Sequence, residues 1–342
     1  MMSVSLRKTL MGIAAAIAMA GVPAHAQTTN LEAEFDNAFG TEIRAPESFE
    51  AVYETSFERR IAQLADGSRG RIGVAAVDLT TGEEISVLGD QLFPMASTSK
   101  IAVAAAYLEQ VEQGKYSLTS EFPLLIPLRS ARFSSPAAPV REGNYMAADQ
   151  LIEIMIARSS NPATDALLRA VGGPEAVNNW VRRQGIEEFS IDRDIATLVR
   201  DDGEFDPSMH IDRRDAATPR AMIQLLQGLY QGKFLSDESR QVILDAMAKT
   251  RTGKRRIPAE MPDYVEVMHK TGSLNNTSSD IGILEGPNGH AIAVAIYVTG
   301  QGARRAREAR IASIARALYD GFAEKAGVSQ PRVWTSTARP GG

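Results

Sequence analysis

Three short segments carry side chains whose types and spacing suit acyl transfer. Ser97-Thr98-Ser99-Lys100 begins a helical stretch just after Phe93-Pro94. A serine hydroxyl is a weak nucleophile until a neighbour takes its proton. A residue three positions on returns to the same helix face, which brings Lys100 within reach of Ser97 Oγ. The start of a helix also favours negative charge and leaves backbone N–H groups free to receive an oxyanion. Ser159-Ser160-Asn161 lies between two helical stretches, where a hydroxyl and an amide can face a cleft from a fixed turn. Lys270-Thr271-Gly272-Ser273 closes an alternating strand. There Lys offers a fixed positive charge, Thr and Ser offer hydroxyls, and Gly lets a backbone approach closely. Each segment alone also has an ordinary reading. Ser5 and Lys8 repeat the first spacing, and Ser and Asn cap helices widely.

The elements that position these segments follow from periodicity. Residues 49–64 carry Val52, Phe57, Ile61 and Leu64 at helical spacing. Residues 71–79 and 83–88 flank Thr80-Thr81-Gly82 and predict a β-hairpin. Residues 97–114 predict a helix with Ile101, Ala104, Ala105, Leu108 and Val111 on one face. From there to about Arg256 the patterns are helical, most clearly over 148–158, 162–171, 175–184 and 219–230. Strand patterns return at 264–269, 281–285 and 291–298, with Gly286-Pro287-Asn288-Gly289 as a turn, and 307–323 is a closing helix. Strands near both ends with helices between them predict an α/β (α+β) fold. One antiparallel sheet is completed by distant segments, an all-helical lobe is inserted over about 97–256, and the cleft between lobes is the place for a site.

Composition bounds the rest. The chain has 342 residues, 44% hydrophobic and 23% charged, which rules out a collagen-like or wholly disordered protein. A net charge of −5 argues against nucleic acid as a partner. The absence of Cys excludes disulfides, thiolate catalysis and Cys-ligated metal sites. His210, His269 and His290 are isolated, and Gly300-Gln301-Gly302 lacks a third Gly, so neither a metal nor another cofactor is expected. The basic runs 251–256 and 304–310 read as solvated faces. Arg7 and Lys8, the apolar run 10–22 and the Ala24-His25-Ala26 cleavage pattern read as a signal peptide over 1–26. The expectation is a periplasmic or secreted monomer with no membrane span once that peptide is removed. A flexible leader (27–48), one domain (49–328) and a loose tail (329–342) would follow.

The segments at Ser97, Ser159 and Lys270 occur in the order of an S-x-x-K, S-D-N and K-T-G set, with separations of 62 (159 − 97) and 109 (270 − 161) residues. In this the chain resembles the class A β-lactamases and their penicillin-binding relatives from about Arg71 to Phe322. The likeness includes Phe93 ahead of the Ser, Ala163-Thr164-Asp165-Ala166-Leu167-Leu168, Asp215-Ala216-Ala217-Thr218-Pro219 and Ile296-Tyr297-Val298-Thr299-Gly300. The resemblance implies a five-stranded antiparallel sheet flanked by terminal helices. It implies Ser97 as the acylated nucleophile, Lys100 as its proton acceptor or relay, and Ser159 as the donor to the leaving nitrogen. Asn161 would hold the substrate side-chain amide. Lys270, Thr271, Gly272 and Ser273 would bind the substrate carboxylate end, with the N–H groups of Ser97 and Ser273 as the oxyanion hole. Ser160 replaces the middle Asp of the second motif.

The larger departure is in the omega loop. Ile191-Asp192-Arg193 fits its opening and Asp215 its close, yet Asp194-Ile195 stands where the family has Trp-Glu, whose Glu activates the deacylating water. The loop is lengthened, and Asp194, Asp201, Asp202, Glu204 and Asp206 are candidate replacements for that base. The strand after Lys270 also lacks a carboxylate-binding Arg and has Asp280 instead. The resemblance implies a β-lactam or a peptidoglycan-like substrate. The readings are a β-lactamase, a penicillin-binding or D,D-peptidase-like relative that deacylates slowly, an esterase or amidase, and a non-enzymatic cell-wall binding module.

Overall fold

The computed structural model describes residues 55–327; the signal peptide, leader and tail expected from the sequence lie outside the described residues. Helix α1 (Ser56–Leu64) starts at a capping box in which Thr55 Oγ1 accepts the Glu58 N–H at 3.1 Å and Glu58 Oε2 accepts the Thr55 N–H at 3.0 Å. The expected hairpin follows as β1 (Ile72–Asp78) and β2 (Glu84–Val87), with Val74 opposite Val87. Asp78 Oδ1 fastens the turn by accepting the Thr80 and Thr81 N–H groups. Strand β3 (Phe93–Pro94) leads through a 3-10 turn, Ala96–Ser99, into α2 (Lys100–Glu112). Where one apolar face was expected, α2 is buried all round from Lys100 to Leu108. Its alanines let neighbouring helices close in on every side.

The inserted lobe is not all helical. Strands β4 (Glu121–Pro127) and β5 (Val140–Ala147) form an antiparallel hairpin with an irregularity between Pro123 and Leu125. Two prolines interrupt β4 and polar residues dominate β5, so neither shows the period-2 alternation that marks a strand. Helices α3 (Ala148–Ala157), α4 (Asn161–Val171) and α5 (Pro174–Arg183) follow at the expected places. The short α6 (Ile195–Arg200) lies inside the lengthened loop and was not expected. Strand β6 (Ala216–Ala217) then pairs with β3, and α7 (Pro219–Tyr230) and α8 (Asp237–Ala248) complete the lobe.

Strands β7 (Glu266–Leu274), β8 (Thr277–Glu285) and β9 (Ala291–Thr299), with the closing helix α9 (Arg304–Lys325), return to the first lobe. The antiparallel sheet has five strands in the order β2-β1-β9-β8-β7, as the resemblance implied. Successive residues of β9 serve opposite faces. Ile292, Val294, Ile296 and Val298 join Ile61, Ile311, Leu318 and Phe322 of α1 and α9 in one core. Ala293, Ala295 and Tyr297 join Phe93 and the helical lobe in the other. Each fully buried aliphatic or aromatic side chain of these cores contributes about 1.5–3 kcal/mol. Strand β7 runs on to Leu274, so Lys270–Ser273 lies within the strand rather than beyond its end.

Candidate active site

The nucleophile turn is held in an unusual backbone state. Ala96 has φ +50°, in the left-handed region that costs an L-residue with a side chain. Gly272 on β7 lies against it: a Cβ there would overlap Ser279 Oγ and meet Met95 O at 2.6 Å and Ala96 Cβ at 3.1 Å. The glycine thus serves the approach of β7 to the turn, not only the approach of a ligand. Of the three hydroxyls in the turn, Thr98 donates to Met95 O at 2.8 Å and lies 3.0 Å from Tyr297 OH, and Ser99 donates to Ala96 O at 2.9 Å. Both are buried. Ser97 is half-buried, and its hydroxyl has no hydrogen bond among the described residues. The turn presents one hydroxyl that no described residue engages.

Two fully buried lysines flank it. Lys100 Nζ donates to Ser159 O at 2.9 Å, to Ser159 Oγ at 3.3 Å and to Asn161 Oδ1 at 2.7 Å. Burial, with the Lys270 charge added, pushes its pKa well below the usual lysine value, and Asp165 opposes the shift. Lys270 Nζ donates to Ser159 Oγ at 3.0 Å and to Thr271 O at 2.9 Å. Burial takes its pKa down to about 7 against the opposing charge of Asp280. Ser159, itself at φ +57°, therefore holds its hydroxyl between the Nζ atoms of the two lysines. Ser160 caps α4 by accepting the Ala163 N–H at 3.4 Å. Its hydroxyl serves the helix, not the cleft.

At the other end, Ser273 is exposed and its Oγ accepts from Arg256 Nη2 at 2.6 Å. Arg256 is buried and also donates from Nη1 to Gly272 O at 2.8 Å and Ser279 O at 2.7 Å. Two expectations change here. The run 251–256 is not simply a solvated face. The guanidinium absent from the strand after Lys270 arrives instead from the segment before β7, a place that sequence spacing did not single out. Arg307, in the second basic run, is likewise buried, donating to Ser278 Oγ and the carbonyls of Gly300 and Gly302. Thr271 Oγ1 lies 2.6 Å from Thr252 Oγ1 and Thr271 is buried, so its hydroxyl is shared with a neighbouring loop. Among the described residues no cluster of His, Asp or Glu has the makings of a metal site. His269 pairs with Asp280 and His290 with Asp78, both buried.

The omega loop closes at the expected neck. Arg193 Nε donates to Asp215 Oδ2 at 2.6 Å, and Asp215 Oδ1 accepts the N–H groups of Asp192 and Arg193. The nominated carboxylates are all engaged elsewhere. Asp194 caps α6 through the Thr197 N–H. Asp201 is paired with Arg200 and takes the Phe133 N–H, with its pKa lowered to about 2 chiefly by Arg200. Asp202 accepts the Asn275 N–H, Glu204 pairs with Arg214, and Asp206 accepts from Ser208 and Asn276. Among the described residues, none of the five has a hydrogen bond to Ser97 or Lys100. The carboxylate coupled to Lys100 is Asp165 on α4, which the sequence analysis quoted only as part of a helix. Its Oδ1 and Oδ2 accept the Ile195 and Ala196 N–H groups at 2.7 and 2.9 Å.

Known proteins resemble the chain in sequence and in fold. The chain is 31% identical over 272 residues to β-lactamase CTX-M-4 of Salmonella typhimurium, covering 78% of this chain and 89% of that protein. It is 30% identical over 244 residues to β-lactamase SME-1 of Serratia marcescens, covering 70% and 80%. The crystal structure of a β-lactamase from Chitinophaga pinensis superposes with TM-score 0.68 at 27% identity, covering 78% of this chain and all of that one. An ancestral class A β-lactamase superposes with TM-score 0.66 at 34% identity and the same coverage. A family model described as the β-lactamase enzyme family matches residues 56–322. Matched over most of its length, the chain belongs to the class A β-lactamase family, hydrolases that act on β-lactams.

Proposed function

We propose that the protein is exported and opens the lactam amide of penicillins and cephalosporins through an acyl-enzyme on Ser97. The observation that carries this reading is the placement of Ser159 Oγ between Lys100 Nζ and Lys270 Nζ, beside a turn whose only free hydroxyl belongs to Ser97. Lys100, whose proton affinity burial lowers, takes the Ser97 proton from its neutral amine form as Oγ bonds to the lactam carbonyl carbon. The N–H groups of Ser97 and Ser273 receive the oxyanion. As the C–N bond breaks, Ser159 Oγ gives its proton to the nitrogen and is reprotonated from Lys100. The substrate carboxylate sits by Lys270 and Ser273, with Arg256 behind the latter, and Asn161 holds the side-chain amide. The signal-peptide pattern of residues 1–26 supports export to the periplasm or medium. Mass spectrometry after exposure to a penicillin should find one adduct, on Ser97, and none in Ser97→Ala. An adduct mapped to Ser99 or Ser159 would sink the assignment.

A second reading, slow release of the acyl group as in penicillin-binding relatives, is favoured by one feature. Ile195 stands where a loop base would be, and the nominated loop carboxylates are paired elsewhere. Turnover then depends on Lys100 acting a second time, now on water.

A further inference from the structure

Asp165 is an acid where the hydrophobic α4 would be satisfied without one. It is buried, with 4% of its surface exposed, yet ionisable. It lies one helical turn after Asn161, on the same face of α4, and Asn161 Oδ1 accepts from Lys100 Nζ at 2.7 Å. Its two oxygens are clamped by consecutive N–H groups, Ile195 at 2.7 Å and Ala196 at 2.9 Å, at the start of α6. The carboxylate thus bridges the helix that holds Lys100 to the loop that lacks a base. It also lines a cavity of about 300 Å³ together with Arg169 and Asp194.

We propose that Asp165 is a positioning residue for the base: its clamped carboxylate is the counter-charge that sets the proton affinity of Lys100. The proposal rests on the acyl-enzyme reading above and goes beyond it. The groups facing the pair are few. Lys100 meets Lys270 from β7 and Asp165 from α4, with Ser159 and Asn161 as neutral acceptors. Asp165 meets Lys100 from α2 and Asp194 from the start of α6, and shares its cavity with Arg169. Burial raises the Asp165 pKa to about 7, against the N–H groups of Ile195 and Ala196 that hold the anion. Burial lowers the Lys100 pKa while it raises that of Asp165, so the two groups are brought closer in proton affinity, and a proton on one lowers the affinity of the other for the next. An ionised Asp165 raises the Lys100 pKa; a neutral residue there lets Lys100 stay deprotonated to lower pH.

The test is the pH dependence of acylation, followed with a fluorescent penicillin from pH 5 to 9. Asp165→Asn should move the acid limb of the acylation rate to lower pH by about one unit. Thr197→Val removes the bond from the Ala138 N–H to Thr197 Oγ1, loosening α6 without changing a charge, and should leave the limb in place. In the wild-type protein the carbon-13 shift of the Asp165 carboxyl should titrate across the same range as the limb. A limb that stays put in Asp165→Asn, one that moves equally in Thr197→Val, or a carboxyl that titrates outside that range overturns the proposal. Failure of the wild type to label at any pH strikes instead at the acyl-enzyme reading on which the proposal stands.

Discussion

Replacing Lys270 by methionine separates the anion-binding half of the site from the nucleophile. The lysine is fully buried, and its ammonium has three protons. One goes to Ser159 Oγ and one to the Thr271 carbonyl, which leaves one for a substrate carboxylate. Losing a charge-assisted hydrogen bond of this kind costs ~1.5–3 kcal/mol, which corresponds to a fall of about 10- to 150-fold in kcat/KM for acylation. Methionine fills nearly the same volume, so no cavity adds to the loss. An esterified lactam offers no anion and should lose much less. The wild type should also show an alkaline limb near pH 7 for carboxylated substrates, because its ammonium discharges as the pH rises through that value. The variant should lack it. Stability moves the other way. The folded pKa of about 7 lies below the ordinary 10.5, so the unfolded chain binds more protons in that window and stability rises with pH across it. Below the window the buried lysine destabilises the fold, and Lys270→Met should melt at a higher temperature at pH 7 while acylating more slowly. Stopped-flow acylation of an acid and its ester, with thermal melts at pH 7, measures all of this. Equal losses for acid and ester would refute the assignment of Lys270.

Two further outcomes are expected. Hydrolysis of a chromogenic cephalosporin should begin with a burst of one product equivalent per site and continue slowly, unchanged in Asp194→Asn, Asp201→Asn and Glu204→Gln, because those carboxylates hold α6, Arg200 and Arg214. Fast turnover without a burst, or a slow phase lost in one variant, would show that the loop supplies the base after all. Gly272→Ala should cost ~1–3 kcal/mol of stability by overpacking and depress acylation further, since the new methyl meets the Met95 carbonyl and Ala96 Cβ just ahead of Ser97; wild-type acylation in a folded variant would contradict the close fit of β7.

What could be read from the chain depended on how local the signal was. The sheet of distant segments was legible because β1 and β9 are short apolar runs bounded by turns, and the terminal helix because Ile311, Ile314 and Leu318 recur at its period. The order of Ser97, Ser159 and Lys270 was legible for the same reason: each sits in a short, contiguous motif, at an element boundary for Ser97 and Ser159 and within β7 for Lys270. The β4–β5 hairpin was not, since pairing across the loop, not periodicity, makes those residues strands. Arg256 looked like surface because burial of a guanidinium depends on carbonyls from β7 and β8 that only the fold assembles. Asp165 was passed over because its partners, the N–H groups of residues thirty and thirty-one positions on, carry no side-chain signature.

Under the proposed mechanism, the loop joins the halves of the site rather than supplying a group to it. Two of its attachments bear on the proposed nucleophile and base. At the neck, Asp215 uses its side chain to hold Arg193 and its carbonyl to accept the Met95 N–H at 3.0 Å, one residue before the strained Ala96. Asp215 is itself at φ +50°, so the neck and the nucleophile turn share their strain. Near its start, Asp165 fixes Ile195 and Ala196 to the helix whose Asn161 accepts from Lys100. A disturbance of the loop therefore reaches the Ser97 turn through Asp215 and the base through Asp165. Two buried lysines and several left-handed residues destabilise such a site, and the apolar cores on both faces of the sheet must offset that cost. The chain keeps the loop closed at both points even though Ile195 gives it no base to present, which under the proposed mechanism ties the loop to holding Ser97 and Lys100 in register for acylation.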